Sequence, residues 1–327
     1  MIGNRNKQYN QEIRSWLLKV FDRAAVLARG PLEMRNCPVC QSARRSVYAN
    51  NGYLDYQQCD ECSLTYQHPA PDAAAVDKGF TGGDPLLSEY FSITCKYSEE
   101  SSATKPNPWT DAKLKDIYPL RQAGRLLDVG CSIGSFLEKA RHFYEVEGVE
   151  VNPLTAAIAE KHFMVHRGYL SDLKLPREYD IVTLHQILYG VPDPVGLLRD
   201  IHGVLRQEGL LYVNTPNADS YAMALYKGRS CHLYGYTTLN LFNERSLARL
   251  AAETGFRIVS FRTEWLDIYV TDVQEFLDHP DQFIHKRNSH IADYEEKIAR
   301  EDALHRALGI DLGKRGNYLV AVLEKKG

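Results

Sequence analysis

Between residues 125 and 216 the chain alternates short apolar runs with stretches of helical period. The runs Arg125–Val129, Val146–Val149, Tyr179–Leu184 and Leu210–Val213 predict strands. Helices are predicted from about Gly134, from Pro153 and over Pro194–Leu205. Further on, the pattern gives a helix over Glu244–Thr254, a strand at Arg257–Phe261, a helical insertion at about 272–308 and a last strand at Tyr318–Leu323. Strand–helix alternation of this kind implies an α/β fold with a parallel sheet and covering helices.

The first third of the chain is patterned differently. Ile13, Trp16, Leu17, Val20, Phe21, Ala24 and Leu27 recur at three- and four-residue steps, which predicts an amphipathic helix over 11–28, stopped by Gly30-Pro31. Such a helix packs on its own domain or on a second subunit. A membrane-surface role is disfavoured because its polar face mixes acids and bases. Residues 34–70 carry strand-like pieces at Ser46–Tyr48 and Leu64–Tyr66, and the stretch from His68 to Asp72 closes them off. Residues 79–110 are rich in Gly, Ser, Thr and Pro and contain Tyr90, Phe91, Tyr97 and Trp109, as a connecting segment or lid would. The expected organisation is an N-terminal helix (1–33), a small module (34–70), a linker or lid (71–120) and an α/β domain (121–327).

Charge and cysteine usage narrow the function. The net charge is −3 and no run of five basic residues occurs, so a general phosphate-backbone binder is disfavoured and no nucleic-acid partner is expected. No apolar stretch is long enough to span a bilayer, and the N-terminus lacks the apolar core of a secretory signal, so the expected location is cytoplasmic. Of seven cysteines, four form two CxxC pairs, Cys37/Cys40 and Cys59/Cys62, separated by eighteen residues. Two such knuckles can present four thiolates tetrahedrally to a structural Zn²⁺, the pattern of a zinc ribbon. Cys95, Cys131 and Cys231 have no partner at metal-ligand spacing and are expected to be free thiols.

The sharpest local signal runs from Leu126 to Leu137: an apolar strand, the turn Gly130-Cys131-Ser132-Ile133-Gly134, then a helix. Gly130 allows a tight turn and close approach to a ligand, and Gly134 lets the helix start near the strand. Twenty-two residues after Asp128, Glu150 ends the next strand, where an acid can accept hydrogen bonds from ribose hydroxyls. A nicotinamide-binding loop would have glycine at Ser132. It would also not place an acid at Asp128, where a pyrophosphate would be repelled. The same acid can pair with the cationic amino acid end of S-adenosylmethionine.

On these residues the chain resembles the class I S-adenosylmethionine-dependent methyltransferases. The Leu126–Leu137 stretch is similar to their first motif, with Ser132 in place of the usual glycine, and Gly148–Pro153 to their second. Gly168–Leu173 with Tyr179–Val182, Val191–Pro194 and Leu205–Asn217 resemble the segments that follow. The resemblance implies a Rossmann-like seven-stranded sheet. It implies that Asp128, Gly130, Cys131, Ser132 and Gly134 bind the methionine end, and Glu150 and Val151 the ribose. Leu170 and Asp172 would lie beside the adenine, and His185 and Gln186 would face the methyl donor. Relatives often carry Glu-His before the Val-x-Asp-Pro step. Here Tyr189-Gly190 stands there, so that pair's role does not transfer and Tyr189 is a substitute candidate. Ribbons of the Cys37–Cys62 kind accompany methyltransferases of sugars and natural products. Those that methylate carbon have a further C-terminal domain, which is not expected in this chain.

Methyl transfer from a sulfonium needs alignment of nucleophile, methyl and sulfur, and a base where the acceptor is a hydroxyl. The segment Arg229–Thr238 follows the fifth strand, where the acceptor would lie. It offers His232 as general base with Tyr234 or Tyr236 to position substrate, and His185 is the second candidate base. The leading expectation is O-methylation of a small molecule such as a sugar, nucleotide sugar or specialised metabolite. A zinc-ribbon RNA methyltransferase and a non-catalytic S-adenosylmethionine-binding scaffold are the alternatives, and a homodimer contact is open for the N-terminal helix or the ribbon.

Overall fold

The computed structural model describes residues 2–20, 22, 30–52, 54–98, 108–176, 178–233, 237–264 and 315–326. Its elements in chain order begin with α1 (Ile2–Val20), β1 (Leu32–Glu33), β2 (Arg45–Asn50), β3 (Asp55–Cys59), β4 (Thr65–Gln67) and β5 (Ala70–Pro71). Three helices follow, α2 (Ala73–Phe80), α3 (Pro85–Ser98) and α4 (Pro108–Ile117). The alternating part holds β6 (Arg125–Val129), α5 (Ser135–Ala140), β7 (Glu145–Glu150), α6 (Pro153–Ala159), β8 (Met164–Arg167), β9 (Tyr179–His185), α7 (Pro194–Val204) and β10 (Leu205–Pro216). Last come α8 (Tyr221–Tyr226), β11 (Asn240–Leu241), α9 (Glu244–Glu253), β12 (Phe256–Glu264) and β13 (Tyr318–Lys325).

Seven strands form one sheet in the order β12-β13-β10-β9-β6-β7-β8. The strands from β8 to β10 run parallel, while β13 is antiparallel to both β10 and β12. The predicted seven-stranded Rossmann-like sheet is therefore present. Its helices start where the chemistry of their caps puts them. Asn152 and Asp193 each cap a helix whose first residue is proline, and Asn243 forms a reciprocal capping box with Ser246.

Strand periodicity sorts the core into two faces. Leu127, Val129, Val182, Leu184, Leu211 and Val213 pack on one side with Leu198 and Ile201 of α7 and Leu247 and Leu250 of α9. Leu126, Ile181, Leu210, Tyr212, Val320 and Val322 pack on the other with Leu114 and Ile117 of α4 and Phe136 and Leu137 of α5.

Several sequence expectations shift. The N-terminal helix begins at Ile2, nine residues earlier than its apolar stripe suggested, because polar residues extend a helix without adding to the stripe. Phe21, Ala24 and Leu27 lie outside the described residues, as does the insertion at 272–308. Ile13, Trp16 and Val20 pack against Leu87 and Ile93 of α3, so the described part of the stripe is covered within the chain. The segment expected as a linker or lid carries the helices α2 and α3.

Residues 45–67 form three antiparallel strands, β2, β3 and β4, and a fourth is supplied from far along the chain. β11 pairs with β4, Asn240 opposite Tyr66 and Leu241 opposite Thr65. The apolar side of this small sheet merges with the main core, since Cys37, Leu64 and Tyr66 share a cluster with Phe242 and Leu247.

Candidate active site and metal centre

The rows of side chains that fill the α4/α5 face of the sheet turn polar at its carboxyl end. Asp128 follows Leu126, Thr183 and His185 follow Ile181, and Asn214 follows Tyr212. Parallel strands bring their carboxyl ends together at one edge, so these polar residues meet there. Asp128 is 2% exposed, and its Oδ1 accepts a hydrogen bond from Thr183 Oγ1 at 2.7 Å. Burial pushes its carboxyl up to about 7, opposed by the Thr183 hydroxyl and the nearby Lys113 ammonium. Lys113 comes from α4 and faces both Asp128 and Glu264, and burial depresses its ammonium pKa. Composition and motif reading missed it, because a lone lysine twelve residues before a strand has no sequence signature.

His185 lies in the same chamber. Its ring sits 4.3 Å from Phe136 and 5.2 Å from Tyr212, and Nε2 is 3.9 Å from Asp128 Oδ1. Both ring nitrogens are buried without a hydrogen-bond partner among the described residues. Burial, reinforced by Lys113, holds its pKa well below the ordinary histidine value, so the imidazole is neutral at pH 7 and a weak base. Gln186, at a positive φ of 59°, turns its amide onto Asn214, whose Nδ2 donates to Glu264 Oε1 at 2.9 Å. Arg262 completes this network by bonding Glu264 and, through two bonds, Asp116.

The glycine loop wraps the end of β6. Gly130 has φ 77°, and a Cβ there would collide with Ile187. Gly134 has φ 84° and is crowded by Phe163. Ser132 sits at φ 52°, so the left-handed turn that the usual glycine would make is kept by an L-residue. Its N–H donates to Glu150 Oε2 at 2.7 Å, and Asn152 N–H donates to Oε1 at 2.7 Å. Burial raises the Glu150 pKa while these backbone donors oppose the shift. Val151 follows it at the rim. The Cys131 side chain is buried beneath the loop, packed near Gly148 and Leu137. Leu170 is buried and Asp172 exposed on a single turn of 3₁₀ helix.

The α2–α3 segment lies across this loop cluster. Asn152 Nδ2 donates to Phe80 O at 2.9 Å, Tyr169 OH donates to Asp77 Oδ1 at 2.8 Å, and Gly82 lies beside Pro153. Tyr189 follows β9; burial raises its phenol pKa, so it keeps its proton at neutral pH and can offer only hydrogen bonds. His232 is 7% exposed on the loop after β10, with its ring 5.6 Å from Tyr318. Tyr234 and Tyr236 lie outside the described residues.

Cys37, Cys40, Cys59 and Cys62 converge, with all four ligand atoms within 4.8 Å of one another. Cys37 and Cys62 Sγ atoms are 3.5 Å apart, as are those of Cys40 and Cys59. A zinc tetrahedron with ~2.3 Å bonds sets sulfurs about 3.8 Å apart, so the cluster fits that ion with little adjustment.

Residues 107–261 match a family model described as a methyltransferase domain. The chain is 26% identical over 157 residues to the Ubiquinone biosynthesis O-methyltransferase of Pseudomonas aeruginosa (strain LESB58), covering 42% of this chain and 64% of that protein. It is 32% identical over 152 residues to the protein of the same name from Xanthomonas campestris pv. campestris (strain B100), with the same coverage. The match thus spans 64% of the length of these curated relatives. Among solved structures, the chain is similar to the Haemonchus contortus phosphoethanolamine N-methyltransferase 2 in complex with S-adenosyl-L-methionine (15% identity, TM-score 0.48, 80% of this chain and 63% of that one). It is also similar to a SAM dependent methyltransferase from Archaeoglobus fulgidus (18% identity, TM-score 0.46, 72% and 99%). The segment that matches the methyltransferase-domain model holds the parallel strands β6 to β10 and the Gly130–Gly134 loop.

Proposed function

We propose that the protein is an S-adenosylmethionine-dependent methyltransferase of a small molecule, with oxygen as the accepting atom. The observation that carries the reading is the buried Asp128 carboxyl at the end of β6, held by Thr183 beside the Gly130–Gly134 loop, with the half-buried Lys113 ammonium near it. An acid and a base at this edge suit a zwitterion, the acid taking its ammonium and the lysine its carboxylate. Glu150 keeps lone pairs for ribose hydroxyls beyond the two backbone donors that hold it. Leu170 and Asp172 stand where the base of the cofactor would lie, and His185 and Gln186 border the reacting end.

When bound, the cofactor supplies an electrophilic methyl on a cationic sulfur. The residues present would align the acceptor oxygen with it and exclude water. The acceptor's proton passes to a base, for which His232 is the first candidate of the two histidines. His185 is the weaker choice, because burial beside Lys113 disfavours its protonation. The names of the two curated relatives support oxygen as acceptor. The Cys37, Cys40, Cys59 and Cys62 thiolates would hold one structural zinc, which a reducing compartment such as the cytoplasm keeps available to metal.

Calorimetry of the purified chain tests the core of the reading: S-adenosylhomocysteine should bind at one site per chain, and absence of binding would overturn it. A screen of nucleotide sugars, phenols and small acids for S-adenosylhomocysteine release tests the acceptor class. Metal analysis should give one zinc per chain, and a value well below one removes the metal from the account.

A further inference from the structure

The small cysteine module grips one particular loop, the segment 217–242 between β10 and α9. β4 takes β11 as its edge partner. Beside that pairing, Gln67 N–H donates to Leu239 O at 3.0 Å, and Tyr56 OH donates to Thr238 O at 2.9 Å. Asn51 Nδ2 donates to Leu233 O at 2.7 Å, and Tyr48 OH to Ala218 O at 3.0 Å. An apolar plug of Ala49, Tyr56, Ala218, Met223, Leu233 and Leu241 fills the space between. Gly228 lies so close to the Asn50 backbone that a Cβ would collide with its carbonyl.

Arg35 sits at the centre of this grip, two residues before Cys37. Its Nη2 donates to Leu239 O at 2.7 Å and to Asn240 Oδ1 at 3.2 Å, while Nε donates to Gln67 O at 3.0 Å. One guanidinium thus ties the module's strand β4 to the loop. The guanidinium is half-buried and lies 5.5 Å from the centre of the Tyr66 ring, and Tyr66 packs in one cluster with Cys37, Cys59 and Cys62. On its other side the same loop holds the chain after β9: Leu239 N–H donates to Tyr189 O at 2.9 Å, and Asn240 Nδ2 donates to Val191 O at 2.7 Å.

We propose that the cysteine module is a metal-dependent clamp on the acceptor-side loop, with Arg35 as the positioning residue that joins the thiolate cluster to Leu239 and Asn240. The metal then orders the loop bearing His232 and the turn bearing Tyr189, while the cofactor end is set independently by β6, β7 and α4. The inference rests on the methyltransferase reading only in calling this loop the acceptor side.

Hydrogen exchange on the full zinc-loaded chain tests it, with zinc content and S-adenosylhomocysteine affinity measured alongside. Arg35→Met should keep its zinc, raise exchange in 217–242 by tenfold or more, and leave S-adenosylhomocysteine affinity within about twofold. Gly228→Ala, which touches neither metal nor Arg35, should loosen the same loop by forcing it off Asn50. Zinc removal should reproduce the pattern in the wild type. Unchanged exchange in 217–242 in the two variants overturns the clamp, and so does loosening that spreads to β6 and β7 with loss of S-adenosylhomocysteine affinity. If wild-type protein binds no S-adenosylhomocysteine, the methyltransferase reading fails, while the exchange pattern still decides whether the clamp exists.

Discussion

At the scale of single residues, the site is governed by how far burial moves charge. The Asp128 carboxyl is raised to about 7, against about 3.9 in an unfolded chain. Between those values the folded, ligand-free protein holds a proton that the unfolded chain has lost. The stabilising contribution of this group is therefore complete below about pH 4 and is lost as pH rises through about 7. A cationic ligand favours the ionised form, so S-adenosylmethionine affinity should climb with pH up to about 7, with proton uptake by buffer on binding below it. Asp128→Asn should weaken binding by about 10- to 100-fold, the worth of a charged hydrogen bond of ~1.5–3 kcal/mol. It should also flatten that pH dependence, and calorimetry in buffers of different ionisation heat reads both. The acid, the loop glycines and Glu150 could be picked out from sequence because spacing fixes them relative to two strands. Lys113 could not, since its meeting with Asp128 depends on how α4 crosses the sheet.

At the scale of elements, two of the four described helices before β6, α1 and α3, act as a pair. Trp16 of α1 is 5% exposed, donates from Nε1 to Leu86 O at 2.7 Å, and stacks 4.8 Å from Tyr90 of α3. Truncating a buried aromatic costs about 3–5 kcal/mol. Trp16→Ala should therefore let α3 open locally, accelerating amide exchange across 85–98 by about 100-fold or more. Because α2 and its following turn touch Asn152, Pro153 and Tyr169, the S-adenosylhomocysteine dissociation rate should rise as well, which stopped-flow displacement measures. An unchanged rate would mean that these helices do not close the pocket. The apolar stripe announced α1, but its partner stayed hidden. The 79–110 segment looked loop-like because Gly82, Gly83 and Pro85 crowd its start, although Asp84 caps a regular helix from Pro85. The short strands β8 and β11 also escaped the pattern: four residues and two are too few to display a period.

At the scale of the whole molecule, the parallel sheet with covering helices followed from the alternation of strands and helices, and the seven-stranded form from the family resemblance. The docking of the cysteine module did not follow, because its partner strand lies some 170 residues away and carries no motif. The net charge of −3 has its own consequence. A protein that gripped phosphate backbones would bind RNA with steep salt dependence. Here, retention on a single-stranded RNA column should be negligible even at low salt, and methyl transfer to total RNA should stay at background. A steep salt-dependent retention would restore the RNA reading.

The pairing of β4 with β11 also sets an order of events for a chain emerging from the ribosome. Cysteines, metal and three strands are all available by residue 67, long before Asn240 is made. Until then the nascent module presents the bare backbone edge of β4, the kind of surface that recruits strands from other chains. A transcript cut between those points should yield a product that captures metal yet precipitates.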